Sequence, residues 1–508
     1  MNATPTNKRG FFVVMSAVFA LLVAGMAMPA GARADMPDQA IADKIDDELL
    51  GDAGVISTKI DVTVTNGIAT LTGQVNNVLA KERAAKVAKT VKGVRAVLNK
   101  ISISPTEDRA DDNIASDIEA ALLADPAADS YEIAVGVDDG VASLTGTVES
   151  YEERDLALTV AKGVRGVTDV VDQIVVQYAY DRTDTEIRHD VEQVLNWSTY
   201  VDHALIDVAV NDGNVMLSGT VGSVAEKTLT NTLSWVAGVE SVNDDALDVE
   251  RWARDPDLRG NKYADKSEEE IRDAVRAALA HDPRVASFNV FVEVTGHVVT
   301  LRGQVDNLKA KRAAESAARH TVGVTHVTNR LKVRPVDVAT DAQIADDIRE
   351  TFLRDVYVER FEIAPVVIDG VAYLYGTVDS RFERNRADDL ASRVNGVIEV
   401  ANYLEVDDDT TYLYDPYVDD GYVDQEDIVG FERRAPYRTD AQIEESIESE
   451  LWWSPFVDSD DVTVTVENGV ARLSGTVDSW SERQAATENA YEGGATLVDN
   501  DLDVDYSS

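Results

Sequence analysis

Cysteine is absent from the 508 residues. Its absence excludes disulfides, a thiol nucleophile, a cysteine zinc site and a lipid-modified amino-terminal cysteine. Lysine is scarce, with 15 residues and none after Lys332. Histidine is scarcer still. His189, His203, His281, His297, His320 and His326 include no pair at the i, i+4 spacing of a helical metal site. Positive charge is outnumbered, 47 Lys and Arg against 93 Asp and Glu, for a formal charge of −46. Such a field repels nucleic acid, and it repels anionic membranes except where basic residues gather locally. Phosphate-cradling glycine loops and serine elbows are missing as well, so no catalytic constellation and no cofactor is implied. Beyond the first residues, no stretch approaches the roughly 20 apolar residues that span a bilayer.

The one long apolar run, Phe11 to Met28, follows Lys8 and Arg9 and precedes Ala32-Arg33-Ala34. Basic start, apolar centre and small-x-small end predict a signal peptide over residues 1–34, cleaved after Ala34. The expected product is periplasmic and not a lipoprotein. Loss of the leader's three basic residues takes the formal charge from −46 to −49.

What fills the rest is repetition, the first thing to seek in a long chain. A Gly…Leu-x-Gly-x-Val pattern occurs six times: NGIATLTGQV from Asn66, DGVASLTGTV from Asp139, DGNVMLSGTV from Asp212, GHVVTLRGQV from Gly296, DGVAYLYGTV from Asp369 and NGVARLSGTV from Asn468. The central glycines are Gly73, Gly146, Gly219, Gly303, Gly376 and Gly475, spaced by 73, 73, 84, 73 and 99 residues. A second glycine follows each: Gly93, Gly166, Gly238, Gly323, Gly396 and Gly494. Modules are expected at 38–104, 111–178, 184–250, 267–334, 341–407 and 440–506. The two longer spacings mark linkers at 251–266 and at 408–439, the latter acidic and Tyr-rich. Copies one and four, two and five, and three and six share local motifs, which points to duplication of a three-module block.

Each copy opens with apolar residues at i, i+4 and i+8, such as Ile114, Ile118 and Leu122, one face of a helix. Asp or Ser, as at Asp341 and Ser267, stands where an N-cap is expected. Alternating Val462, Val464 and Val466, then an Asn-Gly turn, then Val470 and Leu473, read as a β-hairpin. An Ala-rich amphipathic segment and a last alternating strand complete the copy. The predicted class is α/β (α+β): six tandem modules, each helix-strand-strand-helix-strand, with two helices on one face of a three-stranded sheet.

The opening helix, the G-x-x-x-L-x-G hairpin and the Gly-Val pair before the last strand resemble the BON domain, the module named for bacterial OsmY and nodulation proteins. The resemblance implies a non-enzymatic envelope protein linked to osmotic stress. It further implies binding of phospholipid or other envelope components, with a periplasmic chaperone or a structural spacer as alternatives.

Cations supply the candidate sites. Eight residues after each central glycine stand Lys81, Arg154, Lys227, Lys311, Arg384 and Arg483. A structural ion pair explains them, and so does a repeated anion site. Copies one and four are near neutral or basic, nine basic to eight acidic and eleven to eight. In copy one, Arg83, Lys86 and Lys89 fall opposite Ala84, Ala88 and Val91 on the second helix. Copy four places Lys309, Lys311, Arg312 and Arg319 in the same segment. If an anionic phospholipid surface or an acidic envelope protein binds, these residues are expected to hold it. Calcium is not expected: Asp415–Asp427 has Pro416 where an EF-hand needs an acid, and Asp499–Asp505 reads as the wet face of a strand. The oligomeric state has no signature in the sequence.

Overall fold

A computed structural model describes residues 36–505 apart from 56–58, 107, 126–132, 179–180, 255–257, 260–261, 264–265, 282–284, 286–289, 336–338, 359–361 and 407–437. The expected signal peptide and nearly all of the Tyr-rich linker lie outside the described residues. Among the described residues are twelve α-helices and six three-stranded sheets, in the order helix-strand-strand-helix-strand repeated six times.

Module one shows how the local sequence makes each element. Ile41, Ile45 and Leu49 form the buried stripe of the first helix, Asp38–Gly51. Strands Ile60–Thr65 and Ile68–Val75 pair antiparallel around Asn66 and Gly67, whose φ values of 52° and 73° build the tight two-residue turn that an Asn-Gly pair favours. The second helix, Val78–Lys89, starts where the Asn77 side chain accepts the Ala80 N–H at 2.7 Å. The third strand, Ala96–Ile103, pairs parallel with the second, which is therefore central in the sheet. The hairpin carries one face inward (Ala69, Leu71, Val75) and one outward (Thr63, Thr72).

The repeated glycines answer to close approach, of backbone at the first and of side chains at the second. Gly73 has φ +121°, and a Cβ there would fall 1.9 Å from the Lys59 carbonyl oxygen. Gly93, at φ +96°, faces Ile41 of the first helix, where a Cβ would sit 2.9 Å from Cδ1.

One expected cap differs. The cap before the fifth module is Thr340, in a capping box with Gln343, and Asp341 is the first helical residue. The Asp341 carboxylate instead accepts the N–H groups of Asp369 and Gly370 at 2.9 and 3.1 Å, tying the helix start to the hairpin turn. Asp38, Asp111, Asp184 and Asp440 do the same in their modules. Ser267, by contrast, does sit at the cap position and exchanges hydrogen bonds with Glu270.

The modules pair in nested order, one with six, two with five and three with four, through one recurring bond. In each pair the N–H just before a second glycine donates to the carbonyl that ends a first helix of the other module: Lys92 to Trp453 (3.2 Å), Arg165 to Arg354 (2.8 Å) and Val322 to Trp197 (2.8 Å). Apolar cores also merge, modules one and three into one cluster and modules four and five into another. The first helices keep an exposed face, as at Asp43, Asp46 and Asp47, while the second helix of module one has none.

Candidate functional site

That arrangement decides what the candidate cations touch. Arg83, expected beside Lys86 and Lys89 on a wet helix face, is 6% exposed. Its Nε donates to both oxygens of Asp52 at 2.6 and 2.8 Å, and its guanidinium lies 4.5 Å from the Phe382 ring of module five. The physical reason is that the second helix of module one faces other modules rather than solvent. Lys86 and Lys89 are half-buried on the same helix.

Module four behaves alike. Lys309 is buried and ion-paired with Asp389 of module five. Arg312 meets Asp388 of module five at 2.6 Å. Arg319 pairs with Glu315 of its own helix and stands 4.9 Å over the Trp480 ring of module six. These contacts bring the cations to module junctions, not to one open anion site. Lys311 is half-buried, as is Lys81 in the equivalent position of module one.

The recurring cation eight residues past the central glycine anchors the second helix to the third strand in four modules. Arg154 pairs with Asp172 at 2.5 Å. Lys227 donates to the Leu247 carbonyl at 2.8 Å, Arg384 to Asn402 at 3.2 Å, and Arg483 to Leu502 at 3.0 Å.

The 251–266 stretch is more than a spacer. Tyr263 and Lys262 are 7% and 3% exposed. Arg259 joins Asp202 of module three (3.1 Å) to Asp478 of module six. Around it stand Glu226 and Glu482, whose oxygens accept backbone N–H groups of Asp202 and Gly222, and of Asp458 and Asp478. Burial, with Asp202 adding repulsion, pushes Glu226 up to about 7, and burial does the same to Glu482. Burial also lowers Lys262 to about 8, against the pull of Asp202 and Glu226. This junction carried no motif; only the length of the insertion announced it. The Asp52–Arg83 pair did have a signal, because Asp355 and Arg386 pair at the same 31-residue spacing in module five. Among the described residues, no group of three or more His, Asp or Glu side chains is placed to hold a metal ion.

Six equivalent helix-strand-strand-helix-strand modules, with several of their cations in ion pairs and strand anchors, define a modular α/β repeat protein. The chain belongs to the BON domain family, whose model matches residues 37–105, 110–178, 183–251, 267–335, 340–408 and 439–506. Osmotically-inducible protein Y of Escherichia coli is 36% identical over 141 residues, which are 27% of this chain and 70% of that one. Outer membrane lipoprotein DolP of Haemophilus influenzae is 28% identical over 163 residues, 30% of this chain and 81% of that one. A solved structure of CdsD, a structural protein of the type III secretion system of Chlamydia trachomatis, covers 40% of this chain and 91% of its own at 16% identity and a TM-score of 0.12.

Proposed function

We propose that this is a non-enzymatic, periplasmic envelope protein of osmotic stress that binds envelope components through the outward faces of its sheets. One observation carries the reading. The helix layers meet at module junctions, as at Arg83–Phe382 and Lys309–Asp389, while the outward strand positions of all six modules stay wet. The names of two relatives, one osmotically inducible and one an outer membrane lipoprotein, support the setting. No helix among the described residues is long and apolar enough to cross a membrane. Several weak faces on one chain add through effective concentration, so modest single-face affinities suffice.

Phospholipid binding is a second reading, favoured by the four lysines Lys81, Lys86, Lys89 and Lys311 gathered on two helices of an acidic chain. Co-flotation with neutral and with anionic vesicles, at low and moderate salt, separates the two. The sheet-face reading expects no flotation on either vesicle, and suppression of client-protein aggregation whatever the headgroup would instead favour the periplasmic chaperone alternative. Flotation on anionic vesicles alone, lost when Lys86, Lys89 and Lys311 are changed to Glu, would replace it with the lipid reading.

A further inference from the structure

The six outer sheet faces share one backbone and differ in chemistry. Two outward positions of the central strand and their neighbour on the third strand read Thr70, Thr72 and Lys100 in module one, and Ser143, Thr145 and Gln173 in module two. In module four they are Thr300, Arg302 and Arg330, and in module six Arg472, Ser474 and Asp501. A solvated antiparallel face is ordinarily polar in this way. Module three has Met216, Ser218 and Ala246 there, and single apolar residues such as Leu98, Val175 and Phe291 are exposed on other faces. Module five departs furthest, with the aromatic trio Tyr373, Tyr375 and Tyr403 at these positions. Its first strand adds Val366 and Ile368, 44% and 55% exposed, where module one has Thr63 and Thr65.

The aromatic cluster is preorganised. The Tyr403 ring stacks with Tyr373 (centroids 6.5 Å apart, planes 3° off parallel) and with Tyr375 (5.5 Å, 10°). Tyr375 and Tyr403 remain 46% and 58% exposed. Rigid, half-exposed tyrosines give contact area at small entropy cost, and a contiguous exposed apolar patch marks an interaction site. Charge says what kind of partner fits. Residues 362–378 and 399–406, which make this sheet, contain no Lys or Arg. Glu362, Glu399 and Glu405 stand exposed at its margin, where Arg349 of the first helix donates to the Pro365 carbonyl at 3.2 Å and is itself paired with Asp346. Tyrosine faces themselves attract cations. An acidic rim around an electron-rich apolar floor is complementary to a segment that mixes apolar side chains with Arg or Lys, and it repels anionic lipid.

We infer that the outer face of module five is a docking surface for an extended polypeptide segment carrying apolar and basic residues. This rests on the sheet-face reading above and assigns it a place and a partner class.

The test uses the full chain and a fluorescein-labelled unstructured peptide of Leu, Ser and Arg, with a twin in which Glu replaces Arg. Three substitutions, Tyr373→Ser, Tyr375→Thr and Tyr403→Gln, install the residues that module two carries in the same register. Fluorescence anisotropy is expected to show the Arg peptide bound and the Glu peptide not, with affinity falling about tenfold or more in the triple variant. Tyr403→Lys alone, a wet position given a repelling charge, is the second variant should the triple one unfold, and a similar loss is expected. Equal binding of the Arg peptide to parent and variants would overturn the assignment to module five while leaving binding through other sheet faces standing. Binding of neither peptide would overturn the partner class. A concentration-dependent dimer in sedimentation, abolished by the variants, would make the face a contact between copies of this chain. Vesicle flotation abolished by the same variants would make it a lipid face. Either result also overturns the inference.

Discussion

The ammonium of Lys309 reaches out of module four to the buried carboxylate of Asp389 in module five. Burial alone would raise the Asp389 pKa, yet Arg393, Lys309 and Arg386 together hold it well below the usual carboxylate range. Removing the acid takes a carboxylate away from two buried cations, Lys309 and Arg393, the second of which keeps Asp125 at 3.8 Å. Asp389→Ala is expected to cost about 3–5 kcal/mol, and replacing Lys309 and Asp389 together by Met and Leu to cost less than the two single changes combined. Urea unfolding of parent, singles and double reads the cycle.

Gly219→Ala should be among the most damaging single methyl additions. The backbone there has φ +121°, and the new Cβ would sit 2.0 Å from the Leu205 carbonyl oxygen. The expected loss is about 3 kcal/mol or more. Gly136, an exposed strand residue with no heavy atom within 4 Å of a built Cβ, is the control. Gly136→Ala should be neutral or stabilising by up to about 1 kcal/mol. Thermal unfolding of the two variants distinguishes them.

Acid should loosen the contact of modules three and four through His320. Burial, and then Arg319, lowers this imidazole to about 4 from an ordinary 6.5. Its ring packs 4.8 Å from Tyr200, and its carbonyl accepts the Thr199 N–H at 3.1 Å. The unfolded chain binds the proton first as pH falls, so this stabilisation is whole above about 6.5 and is lost on the way down to about 4. Glu226 and Glu482, both raised to about 7, act with the opposite sign over part of the same range. The variant must therefore be compared with the parent at each pH. His320→Gln is expected to lose stability less than the parent between pH 6.5 and 4.

Asp184 ties the start of a helix to a hairpin turn, accepting the N–H groups of Asp212 and Gly213 at 3.0 Å each. Asp184→Ala leaves both donors without this partner and should cost about 1–2 kcal/mol. Asp184→Asn retains one acceptor oxygen and should lose roughly half as much. Hydrogen exchange at Asp212 and Gly213 should quicken in the same order.

Much of a module was legible because its causes are local. Ile114, Ile118 and Leu122 mark a helix face by spacing alone, and Asn66-Gly67 specify a turn through positive φ. The tie from Asp38 to Gly67 spans 29 residues, the spacing also found from Asp111 to Gly140, and was open to the same reading. The cap misplaced at Asp341 shows the limit of that approach: Thr340 and Asp341 both suit a helix start, and only the hairpin folded beside them draws the acid away from the cap role.

What the sequence by itself determined is the module: its element order, its hairpin turns and the glycines where backbone meets backbone, all written within some seventy residues of one another. Only the tertiary structure decided which helix faces are dry. Helical periodicity places Arg83 opposite Ala84 and Ala88 and says nothing of a Phe382 some 300 residues away that lies over its guanidinium. The apolar stripe of a helix reports packing inside its own module. Burial of a charged face depends on which other module lies against it, and that depends on long-range pairings such as Lys92 with Trp453, for which no local pattern codes.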